Sequence, residues 1–212
     1  MNSFIDYFSR NGEKYLDAVV RHLGLSAVSL AAAAVIAIPL GIAAAKNKRV
    51  HEAVTGVFAS LRIIPSLAVL FICVPVMGTG LKPAVIALTL LAVPPILINT
   101  SLAFSTISGA VLETARGMGM NAGRVFVWVK APLSLPFVLA GFKTATVEVI
   151  ASATLAAYIG GGGLGEVIFT GLGLMRNELL IIGGVSVAAL SIGADFFLAG
   201  LEKFFSRKFY GQ

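Results

Sequence analysis

The stretch "AAYIGGGGLGEVIFTGLG", from Ala156 to Gly173, sets Gly160, Gly162 and Gly165 in a G-x-G-x-x-G spacing, with Gly161 and Gly163 between them. Behind a strand and ahead of a helix, that spacing makes the pyrophosphate turn of a dinucleotide site, because glycines let backbone N–H groups approach the phosphates. Here the residues before it read as an apolar helix, and no Lys-Ser/Thr pair follows as a phosphate-binding loop requires. The run is therefore read as a turn between helices. Other chemistry-bearing residues are scattered. His22 and His51 have no Cys or His companions at metal-ligand spacing, and Cys73 stands alone in an apolar run, so neither a metal site nor a disulfide framework is expected. No Ser/His or paired-Asp constellation is visible, so the chain is not expected to be an enzyme.

Four charged residues lie inside long apolar runs: Arg62, Lys143, Glu148 and Asp195. At the centre of a membrane helix each costs about 2.5 to 3.5 kcal/mol, so such groups face protein or a water-filled path. Lys143 and Asp195 lie toward helix ends and can snorkel. Glu148 has two readings: it faces a path and favours a cationic solute, or it pairs with Arg62 or Lys143 to orient helices. Pro39, Pro65, Pro75, Pro94 and Pro95 each remove a helical hydrogen bond and permit a kink. Pro65, Ser66, Asn99, Glu148, Thr154 and Tyr158 are the candidate path or gate residues. Ser66, Asn99 and Thr100 serve either to satisfy freed backbone groups or to line a path, with helix packing as the default role. Aromatics are sparse in mid-span, and Tyr158 is the one placed to meet an organic cation.

The elements that carry these residues are membrane helices. The 212-residue chain is 58% hydrophobic and 12% charged, with mean hydropathy +0.94. Soluble domains carry about 25% charged residues. A bilayer core takes about 20 apolar residues per helix. Five runs qualify: Leu23 to Ala45, about Ala53 to Met77, about Pro83 to Phe104, about Leu133 to Ile159 and about Leu179 to Leu201. The reading is an all-α membrane protein of about five spans. Residues 1–21 form an N-terminal segment in which Phe4, Phe8, Tyr15 and Val19 recur at roughly helical spacing, as in an interfacial helix or a tail that orders on packing. Residues 22–204 form the membrane domain and 205–212 a tail. No cleavable signal peptide is evident.

Lys and Arg set the direction. One set of connections and the C-terminus carries Lys46, Lys48, Arg49, Arg116, Arg124, Lys130, Lys203, Arg207 and Lys208; the other carries Arg10, Lys14, Arg21, Lys82 and Arg176. The positive-inside rule places the N-terminus outside, the C-terminus in the cytoplasm and the glycine run outside, away from intracellular nucleotides. The net charge of +6 is accounted for by this asymmetry, and no nucleic-acid partner is expected.

Between the third and fourth spans lies "SGAVLETARGMGMNAGRVFVWVKAPLSLP", Ser108 to Pro136, long for a connection between helices. Its start reads as a short amphipathic helix with Val111, Leu112, Ala115, Met118 and Gly119 on one side, and Glu113 and Arg116 off it. Glu113-Thr114-Ala115, three residues, Gly119, nine residues, then Val129-Lys130-Ala131-Pro132 resembles the EAA loop of ATP-binding cassette importers, whose pattern is E-A-A, three residues, G, nine residues, I-x-L-P. Glu113, Ala115, Gly119 and Pro132 match in register, Val129 stands for Ile, and Thr114 and Ala131 depart from the pattern. From Arg21 to Gly173 the chain is similar to the permease subunits of osmoprotectant importers, through "RHLGLSAVSLAAAAVIAIPLGIAAAK", "LRIIPSLAVL", "PAVIALTLLAVPPILINT" and "LPFVLAGFKTATVEVIASATLAAYIGGGGLG".

The resemblance implies a type I ABC importer permease fold in a bacterial or archaeal cytoplasmic membrane. It implies that the loop helix, within about 108–132, docks in a groove of a separate ATPase and passes its ATP-driven closure to the spans. ATP and magnesium then belong to that partner, and this chain holds no cofactor. Other implied partners are an extracytoplasmic substrate-binding protein, membrane lipid, and a second permease copy, identical or paralogous. The solute is a small quaternary amine such as glycine betaine, carnitine or choline, moved by alternating access. A methionine-type importer shares the five-span plan. An ion-coupled secondary carrier needs paired interrupted helices in an internal repeat, which are not evident here. Within the loop, Gly119 permits a tight turn, Pro132 suits the start of the next helix, and Glu113 accepts hydrogen bonds from the ATPase or caps its own helix. The glycine run becomes an external turn: a gate, a dimer contact or a plain connector.

Overall fold

The computed structural model describes residues 2–210, with side chains from Tyr7 to Phe209. The described residues form helices and turns without strands: α1 (Asn2–Ala44), α2 (Lys48–Leu61), α3 (Ser66–Met77), α4 (Leu81–Ser105), α5 (Gly109–Gly117), α6 (Ala122–Val125), a π-helical turn (Phe126–Lys130), α7 (Ala131–Ala153), a 3-10 turn (Leu155–Ile159), α8 (Leu164–Gly173) and α9 (Asn177–Tyr210). Among the described residues, four stretches are long and apolar enough to cross a bilayer: Tyr7–Ala44, Leu81–Ser105, Ala122–Ala153 and Asn177–Phe209. The pair α2 and α3, bent by 87°, makes a fifth if taken as one span.

The second run is where the helix breaks. α2 ends in tight turns, with the Arg62 and Ile63 amides bonding to the Ala59 and Ser60 carbonyls. Pro65 then stands extended (φ −58°, ψ 136°) as the N-cap of α3. A proline N-cap fits there because it has no amide to satisfy. Pro39, Pro75, Pro94, Pro95 and Pro136 lie inside helices. The first run differs from expectation as well. α1 changes direction at Asn11 (φ −126°, ψ 15°) and then runs without a break through Arg21 to Ala44. Of the N-terminal apolar residues, the Phe4 side chain lies outside the described residues; Phe8 and Tyr15 pack edge to face at 5.1 Å.

The fourth helix begins earlier than its hydropathy indicates. Asn121 caps α6, its Oδ1 accepting from the Arg124 amide at 2.9 Å, and helical backbone continues from Ala122 to Ala153 through the π turn. The Ala131 amide bonds to the Phe126 carbonyl, five residues back. Pro132 follows at once, so its missing amide falls where the hydrogen-bond ladder changes from π to α. Pro132 lies ten residues inside this helical stretch, not at its beginning.

Two compact units divide the chain: Met1–Ala33, Ile64–Ala92 and Thr146–Ala194 form one, and Ala34–Ile63, Val93–Ala145 and Asp195–Gln212 form the other. The first has a core of Ala18, Ile150, Leu164 and Val187. Tyr15 shares a 2.6 Å hydrogen bond with Ser186, joining α1 to α9, and the Thr89 hydroxyl donates to the Val85 carbonyl at 2.7 Å. In the second unit the helices meet at glycines. A Cβ at Gly41 would come within 2.8 Å of the Thr100 Cβ, and one at Gly141 within 2.6 Å of the Asn99 Cβ. Small residues let helix backbones approach this closely in a bilayer, where packing drives association. Lys143 of α7 pairs with Glu202 of α9 at 3.0 Å.

Much of the outer surface is apolar: Val35, Val76 and Phe196 are each about three-quarters or more exposed. Water would penalise such a surface, and lipid chains would not.

Candidate functional site

α5 is the loop helix expected between the third and fourth spans. Its end explains Gly119. The Gly119 amide bonds to the Arg116 carbonyl at 2.9 Å and the Met120 amide to the Ala115 carbonyl at 3.2 Å. This is a Schellman motif, which needs a left-handed residue one position past the helix. Gly119 has φ +82°, and a Cβ there would meet no atom within 4 Å. The glycine is required by backbone angle and not by space.

The faces of α5 differ from the helical-wheel expectation. Ala115 is buried and Leu112 half-buried, whereas Val111 and Met118 are exposed. Val111, Thr114 and Met118 therefore share an outward stripe at i, i+3 and i+7. The Thr114 hydroxyl donates to the Ala110 carbonyl at 2.9 Å, which leaves its methyl as the outward chemistry. Glu113 is exposed in the second turn. That position cannot cap the helix, so of its two expected roles only the outward one remains.

The glycine run is packed tightly in the first unit. Gly160, Gly162 and Gly163 have φ of +75°, +79° and +87°. The Gly161 amide bonds to the Ala156 carbonyl at 2.8 Å, and a Cβ at Gly161 would lie 2.9 Å from the Ala84 Cβ. The Gly80 amide donates to the Ile159 carbonyl at 2.5 Å, stapling the turn before α4 to the end of the 3-10 turn. A Cβ at Gly165 would overlap the Thr154 carbonyl. A Cβ at Gly163 would come within 3.1 Å of His22 Nδ1. His22 is fully buried, and its Nε2 lies 3.0 Å from the Ile150 carbonyl. These contacts pack the glycine run closely against its neighbours.

The candidate path residues lie on several elements. Pro65 and Ser66 start α3, and Asn99 spends its amide on the Pro95 carbonyl at 2.8 Å, opposite Gly141. Glu148 is half-buried on α7. Lys143 makes an ion pair with Glu202. The Thr154 hydroxyl donates to the Ala151 carbonyl at 2.6 Å. Tyr158, 54% exposed, has two aromatic neighbours that the sequence reading missed, Phe169 on α8 and Phe71 on α3. Their signal in the sequence is faint: Phe71 is one aromatic inside the second apolar run, and Phe169 lies in the connection before the fifth. Among the described residues no group of His, Cys, Asp and Glu could hold a metal ion.

Comparison with known proteins assigns these spans and their loop helix to a membrane transport subunit. Residues 37–207 match the family described as binding-protein-dependent transport system inner membrane component, and the chain belongs to that family. It is 37% identical over 203 residues to the glycine betaine/carnitine/choline transport system permease protein OpuCB of Bacillus subtilis (strain 168), covering 96% of this chain and 94% of that one. It is 38% identical over 202 residues to the carnitine transport permease protein OpuCB of Listeria monocytogenes, covering 95% and 93%. To the osmoprotectant import permease protein OsmW of Salmonella typhimurium (strain LT2) it is 32% identical, covering 93% and 94%. In structure it resembles the MetNI methionine ABC transporter in an inward-facing conformation, with TM-score 0.72 at 21% identity over 88% of this chain and 95% of that one. That likeness shows the fold, a type I ABC importer permease.

Proposed function

We propose that this chain is the membrane subunit through which an ATP-driven importer moves a small quaternary-amine solute, with glycine betaine, carnitine and choline as the candidate class. The solute class rests on relatives named for those compounds, which match this chain over nearly its full length. The coupling role rests on one observation: α5 offers Val111, Thr114 and Met118 outward beside Glu113, on a helix whose end is fixed by Gly119. An exposed apolar stripe of this spacing suits a groove on a partner protein. In this reading ATPase subunits hold ATP and magnesium, a binding protein delivers the solute from outside, and two permease copies enclose the path. The asymmetry of Lys and Arg supports an external N-terminus and a cytoplasmic C-terminus.

The test is a reconstituted complex of this permease with its ATPase and binding protein. Glu113→Ala combined with Gly119→Val is expected to cut solute uptake at least about tenfold, because the Schellman turn and the outward acid act only through the partner. Membrane insertion and the amount of chain are expected to stay unchanged. Normal uptake by the double variant would overturn the coupling role. Uptake of methionine, with no uptake of quaternary amines, would overturn the solute class.

A further inference from the structure

Tyr158, on the 3-10 turn, is flanked by Phe71 of α3 and Phe169 of α8, and all three lie in the first compact unit. The ring centroids of Tyr158 and Phe169 are 4.0 Å apart, with the planes tilted by 50°. Those of Tyr158 and Phe71 are 6.4 Å apart, tilted by 57°. These rings do not simply fill a core. Tyr158 is 54% and Phe71 47% exposed, while Phe169 is half-buried. The backbone of Tyr158 is fixed on both sides: the Ile159 carbonyl accepts from Gly80, and Gly161 is packed between Ala84 and Ala156.

We propose that Phe71 and Tyr158, with Phe169 backing Tyr158, form a transit site for the quaternary ammonium head of the solute. This rests on the quaternary-amine reading above. A quaternary nitrogen has no N–H to donate, so its charge is best met by ring faces, which carry the negative end of the aromatic quadrupole. Two centroids 6.4 Å apart leave a point about 4.5 Å from each, inside the ~6 Å reach of a cation–π contact. The planes are tilted by 57°, so the two rings are not closed on each other as a parallel stack. Phe169, close against Tyr158, limits the swing of that ring. The site is uncharged, so it holds the cation weakly, and a solute that must leave again requires weak binding.

The experiment replaces Tyr158 in the reconstituted complex by Phe and then by mono-, di- and trifluorophenylalanine, using nonsense suppression. Fluorine drains the ring face of charge with little change in size. Tyr158→Phe is expected to transport glycine betaine nearly as well as the unaltered complex. Each added fluorine is then expected to lower kcat/KM by about two- to threefold. A flat series would overturn the proposal, even if Tyr158→Leu abolished uptake, because packing follows ring size and not ring charge. If the unaltered complex moves quaternary amines and the series is flat, only the transit site fails. If the unaltered complex moves no quaternary amine, the solute reading fails and takes the site with it.

Discussion

A methyl group added at Gly165 would run into the Thr154 carbonyl, whereas one added at Gly184 would meet nothing within 4 Å. The two glycines look alike in sequence, yet substitution separates them. Gly165→Ala must displace backbone, and overpacking of that kind costs about 1 to 3 kcal/mol. It is expected to lower the Tm of the purified chain by several degrees. Gly184→Ala, in the interior of α9, removes only a helix-weakening residue and is expected to leave Tm unchanged or raise it slightly. Thermal unfolding of both variants in one detergent checks the contrast, and equal losses would contradict the packing described around the 3-10 turn. Gly119 belongs to a third kind, needed for its left-handed angle alone.

At the scale of the element, α5 is short and its function is carried by one face. Met118 is 66% exposed at the last turn of that face. A charge there would sit in the middle of an apolar contact without disturbing the permease itself. Met118→Asp is expected to reduce ATPase recovered with the tagged permease about tenfold, a change of about 1.4 kcal/mol in affinity, with the yield of permease unaltered. Gly119 was legible from spacing because a Schellman motif is made within six consecutive residues. The outward face of α5 was less so: periodicity put Val111, Leu112, Ala115 and Met118 together, but only the neighbours of Leu112 and Ala115 decide which of the four are covered. The start of the fourth helix was hidden by the polar Arg124 and Lys130, although Asn121 is an ordinary N-cap signal. Pro65 announced a kink, and the structure turns it into a full break with an extended residue.

For the molecule as a whole, the open question is direction. Cys73 is the single cysteine, so Cys73→Ser supplies a background without thiols. In it, Met175→Cys between α8 and α9 and Met118→Cys at the end of α5 test opposite connections. Both native side chains are exposed, Met175 at 87%. With an impermeant maleimide on intact cells, Met175→Cys is expected to be labelled directly and Met118→Cys only after permeabilisation. The reverse pattern would overturn the external N-terminus.

Composition and apolar runs by themselves determined that this chain is a bundle of membrane helices, because each span must satisfy its own backbone and so writes its signal locally. The loop motif, with its register and its glycine, was local for the same reason. The meaning of the glycine run was not. Its spacing matches a dinucleotide turn, and only its packing against His22, Ala84 and the Thr154 carbonyl shows it to be a close-packed joint between helices. The partners of Tyr158 were equally out of reach of the sequence: Phe71 and Phe169 come from different helices, and the break after α2, together with the 3-10 turn and the return of α8, brings their rings together. Contacts between residues distant in the chain depend on how the helices pack, and no local pattern records that.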